Sequence, residues 1–282
     1  MVYEEDRDMI KRQKKSGFTL IELLVVIAVI ALLMAVIIPS LKRAKDIAKR
    51  VICASRLRQV GVAMTSYSQS FPRLPDALDA SGDPEYGHSY AVYRKTFVYP
   101  DGTLIPLRWA KLYEGGYMDV PEIFYCPANR LDQYKYESYI HPPPWGTLDQ
   151  DYNTIYDPDD QWVRIGYTYF PIPGGKLKWD TSGSRPRLVL AEKFAELNPS
   201  IPYATDILHT RRNLSHQRSQ RNDDDTYKES NRYSVNALYI DAHVSNCRDP
   251  EVFKNEVWDD FNDGSVDYDE YYLTVFRLIG SR

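Results

Sequence analysis

The chain starts polar, becomes wholly apolar, and then settles into a mixed pattern. Residues 18–39 carry a single charge, Glu22, and every position from Leu23 to Ile38 is apolar. The apolar run Phe18–Ile38 has 21 residues. As a helix it would measure about 31 Å at ~1.5 Å per residue, which matches a hydrocarbon core of roughly 30 Å. Beyond Pro39 the period stays helical. Leu41, Ala44, Ala48, Val51 and Ile52 share one stripe, continued by Leu57, Val60, Gly61, Met64 and Tyr67. Phe71-Pro72 and Leu74-Pro75 stop it, so one helix is predicted from Phe18 to about Ser70. Its outer half should lay the stripe on a globular head.

From residue 71 the pattern shortens. Phe97-Tyr99 and Thr103-Ile105 read as a hairpin around Asp101-Gly102. Arg164-Phe170, Leu188-Leu190 and Ser234-Tyr239 read as further strands, and Trp109-Leu112 as a helix. Pro142 to Pro144 and Gly174-Gly175 mark loops. The expected fold class is α+β, a long N-terminal helix packed by its second half on an antiparallel sheet. The organisation is a leader at 1–17, a membrane span at 18–39, an amphipathic continuation at 40–70 and a head at 71–282.

Charge sharpens this picture. The 282 residues carry a net charge of −4, with 43% hydrophobic and 26% charged positions, values that exclude wholesale disorder. Residues 40–70 hold seven Lys or Arg against one acid, Asp46, whereas residues 71–282 hold 23 basic and 33 acidic residues. An acidic head disfavours nucleic acid as a partner. The basic neck suits either an anionic lipid surface or plain solvation. Lysines and arginines flank the apolar run on both sides, so the positive-inside rule does not orient it.

The acid inside the apolar run is the informative residue. A cleaved secretory signal would be shorter and end in small residues, and a plain signal anchor leaves Glu22 unexplained. Lys15-Ser16-Gly17-Phe18-Thr19-Leu20-Ile21-Glu22, followed by unbroken apolar helix, resembles the class III signal of type IV prepilins and type II secretion pseudopilins. That resemblance implies cleavage after Gly17 by a prepilin peptidase and methylation of the Phe18 amine. It also implies an assembly role for Glu22, pairing with a neighbouring subunit's terminal amine. Partners would be copies of the chain or other pilins, the inner-membrane assembly machinery and the bilayer. The leader would lie in the cytoplasm and the head in the periplasm or on a surface filament. Pro39 falls where many members carry a proline.

Parts of the head resemble the large pilin-like proteins with a C-terminal processing-associated domain. Phe124-Tyr125-Cys126-Pro127 is similar to their CP turn, Glu137-Ser138-Tyr139 to their SY segment, and Asn236-Ala-Leu-Tyr-Ile-Asp241-Ala242-His243-Val244 to their NxLxxDGHV strand. Ala242 stands where they have glycine, and His216 lies 25 residues before Asp241.

Other candidate chemistry is sparser. His209, His216, Asp241 and His243 match no zinc spacing and read as surface and turn histidines, and with no nucleophile elbow or phosphate loop no catalysis is expected. Cys126 and Cys247 either pair as a disulfide or remain two buried thiols, while Cys53 reads as a small core residue. Residues 259–270 resemble a calcium loop of EF-hand or dockerin type, with Asp260, Asp263, Asp267 and Glu270 as ligands and Phe261 unable to ligate. A solvated acidic turn is the alternative. No cofactor is expected to be required, calcium in that loop being an optional structural ion. The 23 tyrosines suit half-buried strands. Against the filament subunit stands an anchored monomeric module whose head binds calcium or glycan.

Overall fold

The computed structural model describes residues 19–75, 89–94, 98–139, 162–182, 187–206, 214–217, 233–254, 257–258 and 268–281. The chain divides into two compact units, Met1–Lys45 and Asp46–Arg282. Helix α1 covers Leu20–Ser70 and includes Pro39. In the first unit every described residue from 19 to 45 is exposed, including Leu32 and Val36 at 70% and 72%. α1 is long and apolar enough to cross a membrane.

The second unit begins with the outer part of α1. Its buried residues are Cys53, Leu57, Val60, Gly61, Ala63, Met64 and Tyr67, a stripe at three- and four-residue spacing. The predicted stripe therefore holds from Leu57 onward. It fails at Val51 and Ile52, which stay 63% and 45% exposed, and burial starts instead at Cys53.

The head's strands are β1 (Ala91–Arg94), β2 (Trp162–Arg164), β3 (Tyr167–Tyr169), β4 (Trp179–Asp180), β5 (Arg187–Leu188), β6 (Ala204–Asp206), β7 (His216–Gln217), β8 (Tyr233–Leu238) and β9 (Val244–Cys247). Among the described residues the helices α2 (Ala110–Glu114) and α3 (Tyr268–Gly280) join them. β3, β6, β8 and β9 pair in sequence as an antiparallel sheet, and β7 adds to the N-terminal residues of β8. β1–β2 and β4–β5 form two smaller antiparallel pairs. The predicted strand at Arg164-Phe170 is in fact two strands parted at Ile165-Gly166. The predicted Asp101-Gly102 turn is present, with Gly102 at φ 86° and a bridge between Val98 and Leu104.

Alternation along β8 sorts the core into two clusters. Leu238 joins Cys53, Leu57, Val60 and Met64 of α1, with Trp109, Tyr167 and Tyr169. Tyr233, Val235 and Ala237 join Tyr272, Val275, Phe276 and Ile279 of α3. Successive strand residues point to opposite faces, so one face takes α1 and the other α3. Fully burying each large side chain contributes ~1.5–3 kcal/mol, and that covering makes an independent head of these short strands. The helix approaches closely at Gly61, where a Cβ would lie 2.8 Å from Leu238 and 3.0 Å from Ala242.

The turn between β8 and β9 carries Ala242 at φ 61°, the left-handed region that disfavours a Cβ. Replacing Ala242→Gly should raise stability by up to about 1 kcal/mol. A higher melting temperature checks this, and an unchanged or lower one rejects it.

Candidate functional site

Two places bring chemistry-bearing residues together. The first is the start of α1. Thr19 donates its backbone N–H and its hydroxyl to Glu22 Oε2, each at 2.8 Å, while the Glu22 N–H donates to Thr19 Oγ1 at 3.2 Å. This reciprocal arrangement is a capping box, and Thr19-x-x-Glu22 is its sequence signature. Sequence reasoning missed it, although the spacing was legible. The carboxylate thus has donors on its own chain, while the side chain stays exposed on an apolar surface.

The second place lies on the α1 face of the sheet. Asp206 ends β6, His216 opens β7 and Asn236 sits inside β8. β6 pairs with β8 at Ala237 and Leu238, and β7 pairs at Tyr233 and Ser234. Between them the Asn236 N–H donates to Asp206 Oδ2 at 2.6 Å, so a carboxylate takes the place of a ladder carbonyl. His216 Nε2 lies 3.3 Å from the same Oδ2, 3.2 Å from Asn236 Nδ2 and 3.7 Å from Cys126 Sγ. Asn236 Nδ2 also donates to the Arg50 carbonyl of α1 at 3.3 Å. The Tyr167 hydroxyl donates to the Cys53 carbonyl at 3.3 Å. Burial, joined by the nearby Asp206 carboxylate, pushes the Tyr167 phenol well above its ordinary range.

Cys53 and Cys126 are joined by a disulfide, 73 residues apart in sequence. The expected partner Cys247 is buried and takes part in no disulfide. The reason is facial. Cys247 pairs in register with Val235, so its side chain lies on the α3 face, whereas Cys126 packs in the cluster on α1. Cys53 is therefore a crosslink and not merely a small core residue. His216 is likewise buried, contrary to the reading of it as a surface histidine.

The remaining candidates are scattered. Asp241 and His243 are exposed on the β8–β9 turn, where the His243 ring pairs with the carboxylate and stacks on Tyr239. The hydrogen bond from the His243 side chain, followed by that from its backbone, lowers the Asp241 pKa. His209, Gly17, Phe18, Asp260, Asp263 and Asp267 lie outside the described residues. Glu270 is exposed in the first turn of α3.

Residues 12–38 match the prokaryotic N-terminal methylation motif. The chain is 28% identical over 83 residues to the type II secretion system core protein G of Pseudomonas aeruginosa, covering 27% of this chain and 58% of that protein. It is 30% identical over 66 residues to the competence protein ComGC of Halalkalibacterium halodurans, covering 23% of this chain and 65% of that one. By these matches the chain is similar to type IV pilin-like and pseudopilin-like proteins. The chain spans about three fifths of the length of each of these relatives. No solved structure matches it. The N-terminal methylation motif together with an N-terminal apolar helix marks the chain as membrane-anchored, and among the described residues that helix is the one long and apolar enough to cross a membrane. The capping box falls inside the matched motif, and the cysteine cluster lies outside it.

Proposed function

We propose that this pilin-like chain is the structural subunit of a type IV pilus-like or type II secretion pseudopilus filament. A prepilin peptidase cuts after Gly17 and methylates Phe18. The leader faces the cytoplasm, the head is exported, and the chain serves as a building block without turnover of its own. The observation that carries the reading is the prepilin-type motif at residues 12–38 on a helix whose apolar surface is bare from Leu20 to Leu41. Outside a membrane such a surface needs neighbouring helices, and copies of the same helix are the neighbours a filament supplies. A carboxylate in hydrocarbon costs at least ~2.5–3.5 kcal/mol, so an unpaired Glu22 favours packing that brings it a cation. The N-terminal amine of an adjacent Phe18 is that cation in this reading.

The test is Glu22→Ala and Glu22→Gln in the native host. Both variants should insert and be processed, yet sheared-filament yield should fall by about tenfold or more. Normal filaments from Glu22→Ala would refute the assembly role. N-terminal mass of the membrane-extracted chain checks processing, which should start at N-methylated Phe18.

Structural calcium at Asp260, Asp263, Asp267 and Glu270 belongs to the same proposal. Its support is the acidic spacing and a helix, α3, beginning where the exit helix of such a loop would begin.

A further inference from the structure

We propose that Cys53, Cys126, Asp206 and His216 form a buried tetrahedral site for a zinc-class divalent ion when the two cysteines are reduced. Each residue offers one ligand atom, and these four atoms all lie within 4.8 Å of one another. All four residues are nearly inaccessible, at 0%, 2%, 0% and 4% exposure. Zinc bound at ~2.0 Å to nitrogen or oxygen and ~2.3 Å to sulfur has ligand–ligand edges of about 3.3–3.8 Å. The observed edges are 3.3 Å between His216 Nε2 and Asp206 Oδ2, and 3.7 Å between His216 Nε2 and Cys126 Sγ. Two of the tetrahedron's edges are thus already at metal-binding length.

An independent observation points to the same occupant. Asp206 Oδ1 is buried and has no hydrogen-bond partner. A buried carboxylate oxygen left without a donor costs free energy, and a cation held on the neighbouring Oδ2 of the same carboxylate would offset that cost through its charge. The donor set also selects the ion. Two thiolates with an imidazole favour a borderline-soft metal over calcium or magnesium, and two thiolates, a carboxylate and a neutral imidazole carry −3 against +2. The Asn236 backbone N–H holds Asp206 in place, the role that outer hydrogen bonds play around metal ligands.

The disulfide and the metal exclude each other. Opening the bond consumes two electrons and two protons. A water-soluble phosphine supplies the electrons, takes up the oxygen of one water as its oxide and leaves two thiols. Metal binding then releases both thiol protons. The sulfurs would part to about 3.8 Å. In either state the same residues clamp α1 to the CP turn, through sulfur alone or through the ion.

The experiment uses the full chain in detergent, reduced by phosphine without oxygen and titrated with Co2+. One Co2+ per chain should bind, with thiolate-to-cobalt charge-transfer bands and tetrahedral d–d bands that Zn2+ abolishes. The unreduced chain should show neither. Asp206→Asn and Cys53→Ser should weaken binding by more than about tenfold, and Cys247→Ser should leave it unchanged. The proposal fails if the reduced chain, with all three thiols titrated in denaturant, shows no thiolate bands. It also fails if the bands persist unchanged in Asp206→Asn, or if the oxidised, folded chain gives the same bands. Those last arms do not depend on Cys53→Ser folding.

Discussion

Reducing the Cys53–Cys126 bond in the presence of a chelator should lower the unfolding free energy of the head by about 4 kcal/mol. The two cysteines are 73 residues apart, so the oxidised denatured chain is held in a long closed loop. Loop-closure entropy for that length comes to about 4.4 kcal/mol at 25 °C, near the top of the usual range for a disulfide. The constraint also joins α1 to the turn that follows the 3-10 helix Pro121–Phe124, two segments that also meet through packing and the Arg56 bond to the Tyr125 carbonyl at 2.6 Å. Denaturant midpoints of oxidised and reduced protein in the same detergent measure the difference, and a steeper transition after reduction would accompany it. A loss below about 1 kcal/mol would mean that the helix is held by packing alone. Adding Zn2+ to the reduced protein should recover part of the loss, since a ligand of the folded state stabilises it by mass action.

The second large effect is expected at Gly166, on the turn between β2 and β3. Its N–H donates to the Phe124 carbonyl at 2.9 Å, which brings the strand junction directly against the CP turn. A Cβ there would lie 2.6 Å from the Cys126 nitrogen and 3.1 Å from the Tyr125 Cα. Both are backbone atoms, which cannot swing away as a side chain would. Gly166→Ala should therefore cost about 3 kcal/mol, through overpacking and displacement of Cys126. Thermal melting gives the loss. Faster reduction of the Cys53–Cys126 bond in the variant would show that the displaced turn carries the sulfur with it. A melting temperature within a degree or two of wild type would refute the close approach.

Much of the N-terminal part was legible without coordinates, because its signals are local. The apolar run, the acid at Glu22 and the Gly17-Phe18 junction are contiguous, and a helix is written in the period of neighbouring residues. The capping box was legible too, since Thr19 and Glu22 are three apart. In the head, β8 and the Asp101-Gly102 turn were visible as alternation and turn chemistry. The short strands β1, β6, β7 and β9 were not, having only two to four residues each. Windows that short hold no period, and these strands exist because β8 or a neighbouring strand pairs with them.

Residue order alone thus marked an N-terminal methylation motif, an apolar helix long enough to cross a membrane, and an α+β head behind a basic neck. The tertiary structure decided which cysteines meet. Cys126 and Cys247 looked alike in sequence, but β8 alternation sends Cys247 to the α3 face and leaves Cys126 on the α1 face, where Cys53 waits on the helix. It also gathered Asp206 and His216, from β6 and β7, against that same sulfur pair. No spacing encodes such a cluster, because its four members come from a helix, a turn and two strands, brought together only when both faces of the sheet are covered.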